Sequence, residues 1–226
     1  MNPSTKIFFL AGLASLAPVA SAAFFSVDII SGSGGDAYTT GAGVFGDAST
    51  VWNGFSRSAS ASNVALQDET GATSSVTVSW TRTSSGTGEA STGAFANLGI
   101  SSITTGDVAI DGLTPGLSYD LAVYSSWNGT PSFTVGAVTK NISASADWSA
   151  LTEGTHYALF QSVASGGGTV TFTSNANPSG NGGHSRWSAF QIQPSAVPEP
   201  SEYAAVTGLA LGIFALVQRR RQAAGR

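Results

Sequence analysis

The chain contains no cysteine. That excludes disulfides, thiol nucleophiles, zinc–thiolate sites and iron–sulfur clusters, so the chain must hold its fold by burial alone. Charge is scarce as well, with 9 Lys and Arg and 13 Asp and Glu in 226 residues. Histidine occurs only at His156 and His184, which leaves little for general acid–base work. No G-x-S-x-G elbow, phosphate loop, dinucleotide fingerprint or helix-turn-helix is present, and the run Gly166-Gly167-Gly168 lacks the lysine that a phosphate loop needs. No repeat of fixed period is visible, which argues against a solenoid or a propeller.

What is present divides the chain in three. Residues 1–22 read as a secretory signal peptide: Lys6 supplies the positive start, Ile7 to Ala20 the apolar stretch, and Ala20-Ser21-Ala22 the small residues that a signal peptidase cuts after. Cleavage between Ala22 and Ala23 leaves residues 23–196 as one domain with a sizeable core. Pro18 breaks the apolar stretch and weighs against a retained anchor. Within 23–196, Arg57, Arg82, Lys140 and Arg186 face eleven Asp and Glu, a net charge of −7. Such a surface repels nucleic acid and anionic lipid. Ser and Thr make up more than a quarter of this span and keep it soluble without charge.

Residues 197–226 form the third part. Pro198-Glu199-Pro200 is rigid and extended, because each proline fixes its own φ and Pro200 keeps Glu199 out of a helix. Tyr203 to Val217 carries no charge, and Arg219-Arg220-Arg221 ends the apolar run. As a helix that run spans about 22 Å, short of a bilayer core of about 30 Å. Tyr203 at one interface and snorkelling arginines at the other let it act as a single transmembrane helix, with the arginines cytoplasmic and the rest outside. The alternative is a buried core helix, which rarely ends in three arginines. Val197-Pro198-Glu199-Pro200, a short apolar helix and an arginine cluster in that order resemble the PEP-CTERM sorting signal of Gram-negative bacteria. The resemblance implies recognition by a membrane exosortase, removal of the helix and arginines, and a place on the cell surface or in an exopolysaccharide or biofilm matrix.

Between the terminal segments the sequence reads as short strands. Phe24 to Ile30 is a first strand. Val51-Trp52-Asn53-Gly54-Phe55 sets large apolar groups beside a turn-forming Asn-Gly, and Val64 to Gln67 is another short strand. Ser75 to Arg82 alternates cleanly, with Val76, Val78 and Trp80 on one face. Ser84 to Gly93 reads as a polar loop. Asp107 to Tyr124 reads as a strand–turn–strand hairpin about Pro115-Gly116, the pattern of a type II turn. Phe133 and Val135, then His156 to Val163, Thr169 to Thr173 and Trp187 to Gln193 follow as strands, with Tyr157, Leu159 and Gln161 expected on one face. About nine or ten strands without helical periodicity predict an all-β, antiparallel β-sandwich of jelly-roll type, with its first and last strands paired. The order of these segments, above all I-x-G-L-x-P-G-x-x-Y-D-L, is similar to exported sandwich domains that precede such sorting signals, and more distantly to galactose-binding-like, carbohydrate-binding modules.

The search for chemistry yields few candidates. His156 and His184 read as surface or turn residues. The acids sit mostly at strand ends and turns, where Asp caps backbone, and do not suggest the carboxylate pair of a glycosidase. Asp36, Asp47, Asp107 and Asp111 are the oxygen donors for a structural calcium ion if folding gathers them; no other cofactor is expected. Among five tryptophans, Trp80 reads as core, and Trp127, with Asn128 in a Ser/Asn/Gly/Thr loop, reads either as a side chain folded back to cap the sandwich or, if exposed, as a contact to a neutral glycan. The expectation is therefore a non-enzymatic, exported surface or matrix protein. Signal peptidase and an exosortase are its processing partners and exopolysaccharide its expected neighbour. A carbohydrate-binding module and a polysaccharide-active enzyme are the alternatives.

Overall fold

The alternation of Ser75 to Arg82 sets the pattern for the molecule: Val76, Val78 and Trp80 are buried and the hydroxylated residues between them face outward. The computed structural model describes residues 23–30, 39–87, 101–126, 129–143, 148–175 and 185–195. Among them there are thirteen strands: β1 (Phe25–Ile30), β2 (Thr39–Thr40), β3 (Val51–Ser56), β4 (Ala61–Gln67), β5 (Thr73–Thr87), β6 (Ser101–Asp111), β7 (Ser118–Tyr124), β8 (Ser132–Val135), β9 (Val138–Asn141), β10 (Tyr157–Ala164), β11 (Val170–Ser174), β12 (Arg186–Trp187) and β13 (Ala189–Pro194). One sheet runs β10-β7-β13-β1-β3-β2; the other runs β4-β5-β6-β11-β8-β9, with β12 on β6. The two sheets share one core, to which Val27, Leu121, Phe160 and Phe190 come from the first and Val78, Ile110, Phe172 and Trp187 from the second. The described residues thus form an all-β sandwich. The terminal segments expected to be helical lie outside the described residues, and no helix among the described residues is long and apolar enough to cross a membrane.

Several sequence expectations need correction. Asp107 to Tyr124 is no hairpin, for β6 and β7 lie in different sheets. The turn itself forms as read: Leu117 N–H reaches the Thr114 carbonyl at 3.4 Å and Gly116 has φ 79°. It carries the chain across the sandwich because Val108 and Ile110 on one side and Leu121 and Val123 on the other face each other through the core. Gly112 makes the bend at φ 79°, where a Cβ would overlap the Ser75 carbonyl. Asn53-Gly54 is not a turn either. It lies within β3, and Asn53 is buried because its amide donates to the Ser26 and Gln67 carbonyls (3.0 and 2.8 Å) and accepts from the Gln67 N–H. The polar segment after Ser84 continues β5 to Thr87. The sheets are not wholly antiparallel, since β1 and β3 run parallel.

The first sheet is covered on both faces. Outside it, Phe45, Trp52, Tyr124 and Trp148 form a second apolar cluster with Tyr157 and Leu159 against it. Tyr157 and Leu159 therefore share the outer face of β10, while Ala158 and Phe160 point inward and Gln161 is exposed. A polar clamp ties the preceding loop to this face. Gln191, fully buried, accepts from the Tyr124 hydroxyl (2.6 Å) and the Phe45 N–H (3.1 Å) and donates to Ser26 Oγ and the Phe45 carbonyl (both 2.9 Å). Val44 N–H donates to Tyr124 Oη (2.7 Å). Burial pushes the Tyr124 phenol above its ordinary pKa, against the bond from Val44 and with the nearby Tyr157 adding to the rise.

The first and last strands pair as expected, β1 against β13 in the register Phe25↔Ile192 to Asp28↔Ala189. The start of β1 and the end of β13 therefore lie side by side at one end of the sandwich. β7 pairs with β13 from Ala189↔Tyr124 to Pro194↔Tyr119, so the chain leaves β7 toward residue 127 from the opposite end.

Candidate functional site

Most residues singled out from the sequence lie outside the described residues: Ala22, Trp127, Asn128, His184, Val197, Pro198, Glu199, Pro200, Arg219, Arg220 and Arg221. Ala23 is described, and it is partly buried against the main core. The next residue is fixed at once, since Phe24 N–H donates to Glu69 Oε2 at 2.9 Å and its carbonyl accepts from Glu69 N–H at 3.1 Å. At the other terminus Ser195 N–H donates to the Ser118 carbonyl (2.9 Å) and its hydroxyl to Asp120 Oδ1 (2.6 Å).

The remaining tryptophans are not available as sugar platforms. Trp52, Trp80, Trp148 and Trp187 are between 0% and 4% exposed. Trp80 and Trp187 meet edge to face at 5.4 Å, and Trp187 also contacts Phe172 and Phe190. His156 is not a surface residue. It is buried beneath Trp148, ring centroids 5.0 Å apart, and Nδ1 accepts the Thr152 N–H at 3.1 Å. That bond fixes the residue as part of the turn before β10.

The described acids do not gather. Asp47 belongs to the turn before β3, where the Ser49 hydroxyl and N–H donate to Oδ1 (2.6 and 2.8 Å) and hold its carboxyl below the usual range. Asp107 and Asp111 are on β6 in the other sheet, each accepting a threonine hydroxyl at 2.6 Å, from Thr173 and Thr169. Asp36 lies outside the described residues. Among the described residues no three His, Cys, Asp or Glu side chains come close enough to hold a metal ion.

A site that sequence reasoning missed lies where the sheets part along one flank. β10 is the edge of the first sheet; β11, β8 and β9 form the facing flank of the second. Between them runs a groove of about 640 Å³, lined by Val135, Val138, Phe160 and Val170 and rimmed by Gln161, Ser162, Thr169 and Thr171. Lys140 is its one charged lining residue. Lys140 Nζ sits 2.9 Å from Glu153 Oε1 and 5.9 Å above the centre of the Phe160 ring. β10 bulges between Phe160 and Val163, and Ser162 there adopts a left-handed φ of 53°. Its N–H donates to Asp120 Oδ1 at 2.9 Å. The groove joins four segments from two sheets, so no local pattern announces it. The one available signal was Lys140, the sole lysine of residues 23–196. No protein-family model, curated protein or solved structure matches the chain.

Proposed function

We propose that this is an exported, non-enzymatic protein of the cell surface or extracellular matrix, whose jelly-roll, galactose-binding-like sandwich is delivered by an N-terminal signal peptide and a PEP-CTERM sorting segment. The observation that carries the reading is the ordered C-terminal pattern Val197-Pro198-Glu199-Pro200, apolar run and Arg219-Arg220-Arg221. The architecture supports it in two ways. The described core residues end at Ile192, eight positions before Pro200. Ala23 and Ser195 leave the same end, and at most about 10 Å of extended chain separates Ser195 from Pro198. Glu69 and Asp120 hold the chain at those two exits. Replacing Pro198, Glu199 and Pro200 with alanine strands the protein in the inner membrane; undiminished release of that variant would count against the reading.

The second reading, compatible with the first, is carbohydrate binding. Trp127 and Asn128 support it from the sequence, and the groove beside β10 supports it from the fold, with apolar floor and hydroxyl rim in the proportions of a small-ligand site. Retention of the protein on the producer's own polysaccharide without product release separates this reading from a polysaccharide-active enzyme.

A further inference from the structure

We propose that the groove between β10 and the β8–β9 hairpin binds an acidic sugar unit, a uronate, with its carboxylate at Lys140. The proposal rests on the carbohydrate-binding reading and assigns it a site and a ligand class. Three observations point there. Val138, 53% exposed, is the most open large apolar side chain among the described residues and lies on the groove. The bulge at Gln161 and Ser162 places two polar side chains on the rim and holds a serine in a conformation that L-residues seldom adopt. Finally, residues 23–196 carry a net charge of −7, yet no carboxylate lines the groove and its single charge is an ammonium.

The lining chemistry selects among occupants. A hydrocarbon chain fits the valines but strips water from Gln161, Ser162 and Thr171 and returns no hydrogen bonds. An added peptide strand needs an unbroken row of N–H and C=O groups along β10, and the bulge interrupts that row. A sugar offers both faces at once: C–H groups for the Val138 and Phe160 side, hydroxyls for the rim. A carboxylate on it meets Lys140, which Glu153 now occupies at 2.9 Å. Both side chains are open to solvent, 37% and 46% exposed, so exchange of Glu153 for a ligand carboxylate needs no repacking. Glu153 is thus an internal competitor, and its removal strengthens binding.

The test uses the protein recovered from the producing cells, titrated calorimetrically with a galacturonate trimer and with the matching neutral galactose trimer. The uronate binds at least about tenfold more tightly, and the difference shrinks with added salt. Glu153→Gln raises uronate affinity, Lys140→Gln removes the preference for the uronate, and Val138→Asp, at an exposed position that folding tolerates, abolishes binding. Equal affinity for the two trimers, or a preference that survives Lys140→Gln, overturns the proposal. Preferential binding of decanoate overturns it in favour of an acyl ligand. If glycan binding disappears in Trp127→Ala but persists in Val138→Asp, the carbohydrate reading stands and the groove assignment falls. If neither trimer nor the producer's polysaccharide binds, both fall.

Discussion

Gln191→Leu keeps the side-chain volume and deletes the amide at the centre of the clamp on the first sheet. In the native fold that amide makes four hydrogen bonds: it accepts from Tyr124 and the Phe45 N–H and donates to Ser26 and the Phe45 carbonyl. The Ser26 hydroxyl can turn to another acceptor. The Tyr124 hydroxyl proton, the Phe45 N–H and the Phe45 carbonyl cannot, and each buried orphan costs about 1–3 kcal/mol. The expected loss is about 3–9 kcal/mol, a large share of the roughly 5–15 kcal/mol that stabilises a typical domain. For a domain of this size that lowers Tm by about 6 °C or more. Calorimetry and urea unfolding read the change directly. Gly43→Ala offers an independent check, since a Cβ there overlaps the Gln191 amide and destabilises in the same direction. A Tm within about 3 °C of the parent for Gln191→Leu refutes the claim that this network holds the loop to the sheet.

Three other outcomes follow from the packing. Trp187→Ala opens a cavity between Trp80, Phe172 and Phe190 and costs about 3–5 kcal/mol, read by urea unfolding. Gly112→Ala forces a left-handed alanine against the Ser75 carbonyl and costs about 2 kcal/mol or more, read as a drop in Tm. The phenol of Tyr124 has a raised pKa in the folded state, so the folded chain keeps that proton where the unfolded chain releases it. Stability is therefore unaffected by this group below the unfolded value near about 10 and falls as pH rises above it. In Tyr124→Phe, a pH titration of stability loses that part of the alkaline slope.

Local pattern carried the strands, because alternation depends only on neighbours: Val76, Val78 and Trp80 point inward as their spacing says. The pairing of β1 with β13 was legible from the apolar content of both ends. The cross-sheet bend at Gly112 to Leu117 was not, since a turn motif fixes the bend and leaves the partner sheet open. Asn53-Gly54 failed for a related reason. A turn-forming pair was overridden once Gln67 and Ser26 supplied the asparagine with buried partners. His156 read as a surface or turn residue, and its place in the turn holds; its burial was not legible because nothing in the sequence places Trp148 over it. The groove is tertiary throughout: Lys140, Phe160 and Thr171 come together only when the edges of both sheets meet.

The most direct measurement is the intact mass of the protein recovered from the surface or medium of the cells that make it. The account predicts a chain that begins at Ala23 and ends near Pro200, without Arg219 to Arg221. A recovered chain that still carries Tyr203 to Arg226 would contradict sorting and leave the C-terminal segment as a simple membrane anchor.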